Sequence, residues 1–140
     1  MKESNELREL TRKIERNLES LNESQMCNEN ITLSQCHTLV EIGRMQATSL
    51  KDLAQRLDLD TSTMSKTVES LVKRGLITRE QLPDNRRMVV IRLTIEGMTV
   101  FKNIESDMNL KFEKICGRIS KKDLQVVLHA LEIYNNALEE

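Results

Sequence analysis

The sequence predicts a mainly α fold with a small β-wing. Its apolar residues recur at spacings of three and four along most of the chain, as they do on one face of an amphipathic helix. In residues 88–94, Val89, Ile91 and Leu93 instead recur at every second position, which places them on one face of a β-strand. Only 2% of the 140 residues are aromatic, and Pro83 is the one proline, so the composition also favours helices.

The first predicted element is a long amphipathic helix over about residues 4–23. Its apolar stripe steps by three, four, four and three and consists of Leu7, Leu10, Ile14, Leu18 and Leu21. The polar residues 22–30 that follow predict a loop. A single apolar stripe must pack against something, either its own domain or a second subunit.

A second helix is predicted to begin at Thr32. Gln35, three residues later, completes a capping box with Thr32. Leu39, Val40 and Ile42 are the expected core positions of this helix, and residues 43–48 connect it to the next element.

Two short helices follow, joined by a three-residue turn. The first is capped by Ser49, and its apolar face contains Leu50, Leu53, Ala54 and Leu57. Asp60 or Thr61 caps the second, whose buried face contains Met64, Val68, Leu71 and Val72. Gly75 follows the basic last turn of this helix, where a helix is expected to stop. This arrangement predicts a helix-turn-helix.

The first two turns of the second short helix are crowded with small polar side chains. They are Thr61, Ser62, Thr63, Ser65, Lys66 and Thr67. Small hydroxyls allow close approach to a DNA groove and can bond phosphates or base edges. The plainer alternative is that they only cap and start the helix. We expect Ser62, Thr63, Ser65 and Lys66 to contact DNA.

A β-hairpin, or wing, is expected after Gly75. Strand alternation places Val89, Ile91 and Leu93 on one face, with a polar loop over residues 81–87 before them. Arg86 and Arg87 at the loop tip suit a narrow minor groove, and Asp84 could orient Arg86. The alternative is an ordinary solvated hairpin tip.

Positive charge is concentrated in this part of the chain. Seven basic and three acidic side chains between residues 61 and 92 give this segment a charge of +4, although the net charge of the chain is −1. Such an asymmetry marks the expected DNA surface.

Two more helices are predicted after the wing. The first, over residues 95–116, is ended by Gly117, and its stripe contains Phe101, Ile104, Met108, Phe112 and Ile115. Ser120 caps the second, whose stripe contains Leu124, Val127, Leu128, Leu131 and Leu138. These stripes could form an intramolecular bundle, but they exceed what a small lobe can cover. We therefore expect burial across a two-fold axis in a homodimer.

The central third of the chain resembles the winged helix-turn-helix of the MarR family of bacterial transcriptional regulators. The matching segments are residues 53–57, 62–66 and 71–77, the Asp-x-Arg of Asp84 and Arg86, and the Leu-Thr-x-x-Gly of Leu93, Thr94 and Gly97. The resemblance implies one domain over residues 1–140, with a winged helix-turn-helix lobe at 30–97 and dimerisation helices at 1–25 and 98–140. It also implies a homodimer on pseudo-palindromic operator DNA, usually a repressor released by a small ligand or by cysteine chemistry.

Three cysteines and a histidine suggest one route for such release. Cys36 and His37 are adjacent and lie nine residues after Cys27, so thiolate and imidazole could bind a soft metal or meet an oxidant. The alternative is that Cys36 and Cys116 are small core residues and Cys27 is an exposed loop thiol. Zinc-binding relatives carry histidines early in the helix after the wing, and residues 102–108 have none. Peroxide-sensing relatives use a cysteine in the first helix, and residues 4–23 have none. The sequence thus predicts no definite cofactor. A soft metal bound by these residues is the one possibility to test.

Other function classes are disfavoured. The sequence has no phosphate-binding glycine loop, nucleophile elbow or paired-carboxylate motif, so we do not expect an enzyme. No apolar run approaches the ~20 residues of a membrane span, and the N-terminus is charged, so we expect a cytoplasmic protein. A winged-helix protein-interaction module without DNA binding is the alternative function. Such modules usually lose the basic residues that this chain keeps at Lys66, Arg86 and Arg87.

Overall fold

The computed structural model describes residues 1–139, with the exception of the side chains of residues 24–29 and 86. It confirms a mainly helical chain with one β-hairpin. In chain order the elements are α1 (Lys2–Glu29), α2 (Leu33–Met45), α3 (Leu50–Arg56), α4 (Thr61–Lys73), β1 (Ile77–Leu82), β2 (Asn85–Leu93), α5 (Ile95–Gly117) and α6 (Lys121–Leu138). The chain divides into two compact units, residues 1–104 and 105–140.

The core of the first unit lies among α2, α3, α4 and the hairpin. Its fully buried apolar side chains include Leu39, Ile42, Leu53, Met64, Val68, Leu71, Ile77, Ile91 and Ile104. The predicted core residues Val40 and Val72 are only half-buried. Thr38 is fully buried instead, and its hydroxyl donates to the Ser34 carbonyl at 2.8 Å, which satisfies the buried polar group.

The helix starts predicted from the sequence are confirmed. At α2, Thr32 Oγ1 accepts from Gln35 N at 3.1 Å and Gln35 Oε1 accepts from Thr32 N at 3.0 Å, a complete capping box. Ser49, Asp60 and Ser120 cap α3, α4 and α6 through their side-chain oxygens. After α4, Gly75 has a φ of 74°, the left-handed conformation that a helix stop requires.

Helix α1 is longer than predicted. The loop expected over residues 22–30 is wrong, because α1 continues to Glu29. A run of polar residues does not by itself end a helix. The helix ends where the backbone of one residue leaves the helical conformation. Here Asn30 does so with a φ of 54°, and its carbonyl accepts from Arg74 Nη1 at 2.7 Å.

The hairpin has a shorter turn than predicted. The loop expected over residues 81–87 is wrong, since β1 reaches Leu82 and β2 begins at Asn85, which pairs with Leu82. Only Pro83 and Asp84 form the turn, and a register shift between Gln81 and Leu82 accommodates it.

An isolated bridge adds a third segment to the wing sheet. Thr48 N donates to Ile91 O at 3.1 Å, and Ile91 N donates to Thr48 O at 2.7 Å. Thr48 immediately precedes the cap of α3, so this bridge ties the start of the helix-turn-helix to β2. Thr48 lies in a segment predicted only as a connection, so this bridge is a finding of the structure.

The junction between β2 and α5 explains the Leu-Thr-x-x-Gly pattern. Thr94 Oγ1 donates to the Gly75 carbonyl at 2.6 Å and accepts from Gly97 N at 3.0 Å. A Cβ at Gly97 would overlap the carbonyl oxygen of Leu76. Glycine is therefore required for α5 to pass this close to the end of α4.

Apolar stripes on the terminal helices are exposed in the single chain. On α1 they include Leu7, Leu10, Ile14 and Leu18, which are 42–51% exposed. On α6, Leu128, Leu131 and Leu138 are 51–65% exposed. Within the described residues, none of the helices is both long and apolar enough to cross a bilayer.

Candidate nucleic-acid interface

The start of α4 presents the predicted polar cluster to solvent. Thr61, Ser62, Thr63 and Lys66 are exposed, and Ser65 is half-buried. Asp60 fixes this turn, because its Oδ1 accepts from Thr63 N at 2.7 Å and from Ser62 Oγ at 2.8 Å. The Thr63 N–H, followed by the Ser62 hydroxyl, holds the pKa of Asp60 below its ordinary value.

Other hydroxyls of α4 hold it against α2. Thr67 Oγ1 lies 3.4 Å from Ser34 Oγ, and Ser70 Oγ accepts from Gln35 Nε2 at 3.1 Å. Thr67, which belongs to the hydroxyl cluster identified in the sequence, therefore faces α2. Within the cluster, Thr61, Ser62, Thr63 and Lys66 are thus exposed, whereas Thr67 packs toward α2.

The basic residues at the end of α4 have structural partners. Lys73 Nζ lies 3.7 Å from Glu69 Oε1, and Arg74 donates to the Asn30 carbonyl. Arg74 therefore links α4 to the end of α1, a role that its position in the sequence did not reveal. Lys66 lies nearest to the exposed hydroxyls along α4.

The wing arginines lie at the beginning of β2. Arg87 is exposed, and its N–H donates to Asn85 Oδ1 at 3.1 Å, which stiffens the backbone beside the turn. The side chain of Arg86 is outside the described residues, so the expected pairing with Asp84 stays a prediction. Asp84 itself lies in the two-residue turn and is exposed.

A groove of about 470 Å³ separates the wing from the helix-turn-helix. Lys51, Arg79 and Arg87 line it with basic groups, and Val68 and Ile91 contribute apolar walls. Arg79 and Arg87 of the positive segment identified in the sequence thus meet at this groove, and Lys51 at the start of α3 adds a further positive charge.

The candidate effector residues are only partly described. Cys36 is half-buried and His37 is exposed, while the side chain of Cys27 lies outside the described residues. His37 lines a surface pocket of about 290 Å³ with Leu33, Leu57 and Leu59. Among the side chains that the structure describes, no three His, Cys, Asp or Glu groups are placed to share a metal.

Two interpretations of the cysteines are corrected. Cys116 is exposed rather than a core residue. Position 27 lies in α1 and not in a loop, so the first helix does contain a cysteine. Adjacent residues on a helix point in different directions, which makes a shared ligand for Cys36 and His37 unfavourable.

Several known proteins are similar to this chain in sequence and in fold. The MarR family matches residues 31–89. The HTH-type transcriptional regulator YfiV of Bacillus subtilis is 24% identical over 110 residues, which cover 79% of this chain and 69% of that protein. YhbI of the same organism, also an HTH-type transcriptional regulator, is 38% identical over 68 residues, 49% of this chain and 44% of that protein.

The fold is also that of a solved protein–DNA complex. Streptococcus pneumoniae FabT, in a crystal structure with DNA, superposes with a TM-score of 0.89 at 21% identity, over 96% of each chain. At this identity the similarity establishes the fold.

Proposed function

We propose that this chain is a transcriptional regulator of the MarR family, whose model matches residues 31–89, and that it binds pseudo-palindromic operator DNA as a homodimer. In this proposal α4 enters the major groove and the wing follows the adjacent minor groove. Ser62, Thr63, Ser65 and Lys66 face bases, and Asp84, Arg86 and Arg87 form the wing contact.

The observation that carries the proposal is the exposed first turn of α4. Thr61, Ser62 and Thr63 are exposed there, and Lys66 is exposed one turn later, although the same helix buries Met64, Val68 and Leu71 on its other side. Small exposed hydroxyls at the start of a helix suit a phosphate or a base edge. The same fold in FabT is solved with DNA, which supports this docking.

A second copy of the chain would provide the two-fold symmetry that a pseudo-palindromic operator requires. The exposed stripes of α1 and α6 are the surfaces proposed to pair, because monomeric proteins rarely expose contiguous apolar patches of this kind. A two-fold dimer carries two recognition helices, whose half-sites on DNA are spaced by about 34 Å or a multiple of it.

The proposed site of action is the cytoplasm, and the proposed regulation is repression that a small ligand or cysteine chemistry relieves. We propose no catalytic activity for this chain. An organic ligand and a thiol-reactive agent are the two alternatives for release, and neither has a site fixed by the described side chains.

Binding of the DNA upstream of its own gene, measured by fluorescence anisotropy, tests the docking. Lys66→Ala should weaken binding about 5- to 150-fold, since a lost DNA contact of this kind costs ~1–3 kcal/mol. Lys122→Ala is the matched control, because Lys122 is an exposed lysine in α6. Equal affinity of the Lys66 variant and the wild type would argue against α4 as the reading helix. Absence of any binding by the wild type would favour the protein-interaction alternative.

Release through thiols is tested with a Cys27→Ser, Cys36→Ser double variant. If these cysteines sense a metal or oxidant, then zinc, arsenite or peroxide should release the wild type from DNA and leave the variant bound. A wild type that is indifferent to all three reagents, or a variant that responds normally, would leave the organic ligand as the release mechanism.

A further inference from the structure

A hydrogen bond in the first turn of α4 fixes the direction of one hydroxyl proton. Ser62 Oγ lies 2.8 Å from Asp60 Oδ1. The lowered pKa of Asp60 keeps its carboxyl ionised at neutral pH, and an ionised carboxylate can only accept hydrogen bonds. Ser62 must therefore be the donor in this pair.

The outward face of Ser62 then carries only acceptor capacity. A serine hydroxyl has one proton and two lone pairs, and the proton is already committed to Asp60. Hydrogen bonds in a chain polarise one another, so donation to a carboxylate makes Ser62 Oγ a stronger acceptor. The side chain is exposed, which leaves these lone pairs accessible to a partner.

The four bases fall into two groups according to whether they offer a hydrogen-bond donor to such an acceptor. In the major groove, adenine and cytosine present amino donors at N6 and N4, whereas guanine and thymine present oxygen acceptors at O6 and O4. An acceptor-only side chain gains a hydrogen bond from the first group and places two acceptors together with the second.

On the premise of the proposed docking of α4 in the major groove, we infer that Ser62 is a specificity-determining residue that accepts from the amino group of an adenine or cytosine. Asp60 is its positioning residue and acts through the Ser62 proton. Guanine or thymine at the same position is disfavoured.

Asp60→Asn separates this role from helix capping. Asparagine caps helices about as well as aspartate, so the start of α4 should be retained. Its amide, however, can donate as well as accept. When the amide donates to Ser62, the Ser62 proton is released toward the base, and guanine or thymine becomes acceptable.

Selection from a randomised DNA duplex library tests the inference with the full-length protein. The wild type should select adenine or cytosine at one position of each half-site. Ser62→Ala should lose that preference and keep the others, Ser62→Thr should retain it, and Asp60→Asn should broaden it. Circular dichroism of each variant checks that the fold is intact.

A single-atom change in the selected DNA completes the test. The base at that position is replaced by its analogue without the exocyclic amino group, purine for adenine or 2-pyrimidinone for cytosine. The wild type should lose about three- to tenfold in affinity, as expected for one hydrogen bond. Ser62→Ala should lose nothing further.

Two failures remain distinguishable. If the wild type enriches a motif but Ser62→Ala enriches the same motif unchanged, or if the Ser62-dependent position is guanine or thymine, the inference is overturned and the proposed function stands. If the wild type enriches no sequence at all, the proposed function fails and this inference fails with it.

Discussion

Single side chains of the same chemical type have different roles in this protein. Ser62 and Thr63 are exposed near the start of α4, whereas Thr67 and Ser70 hydrogen-bond toward α2. The sequence could identify the hydroxyl cluster but not this division, because it depends on where α2 packs. The role of Arg74 could not be predicted from the sequence either. Its partner Asn30 lies 44 residues away, and no local sequence pattern indicates this contact.

Arg86 is the wing residue with the sharpest expected effect on binding. If Asp84 preorganises it for the minor groove, Arg86→Ala should weaken operator binding more than Arg79→Ala does, and Asp84→Ala should reproduce part of the loss. Titrations of the three variants at one salt concentration measure the difference. Wild-type affinity in Arg86→Ala would exclude a wing contact through this residue.

Whole elements were predicted where the signal is local. Capping side chains and apolar spacing gave the starts of α2, α3, α4 and α6 correctly, because both act within one or two turns. Element length was less predictable. Strand β1 continues through the polar Gln81 because this residue pairs with Val89 across the hairpin. Helix α1 passes through residues 22–29 because its stop depends on the conformation of Asn30.

The close approach of α5 to the Leu76 backbone, between α4 and β1, depends on Gly97. Gly97→Ala should destabilise the fold by about 1–3 kcal/mol, since the new methyl group meets the Leu76 carbonyl and the backbone must shift. Gly117→Ala is the matched control in the same helix, because a Cβ there meets nothing within 4 Å. It should be neutral or slightly stabilising. Urea unfolding measures both, and equal midpoints for the two variants would contradict the close packing.

At the scale of the whole molecule, the distribution of apolar surface indicates association. Leu10 on α1 and Leu128 on α6 are 51% and 52% exposed, whereas the core of the first unit is closed around side chains such as Leu39 and Met64. The terminal helices therefore carry apolar surface that is not buried within the single chain.

We expect the wild type to sediment as a homodimer at low micromolar concentration. Leu128→Glu should shift it toward monomer, since the dimer would bury an unpaired charge. Gln125→Glu adds the same charge to α6 outside the predicted stripe and should leave the dimer intact. A wild type that stays a folded monomer at high concentration would contradict the pairing of these helices.

The contact between Arg74 and Asn30 also sets an order of events during translation. The ribosome makes α1 before Arg74, whose guanidinium binds the carbonyl of Asn30 just after α1 and is made 44 residues later than Asn30. At about 5–20 residues per second, this delay is roughly 2–9 seconds. During it the nascent chain carries the apolar stripe of α1 without its anchor, and neighbouring chains on one messenger RNA carry the same stripe. We therefore expect the α1 stripe to be accessible to molecular chaperones and sister chains during this interval.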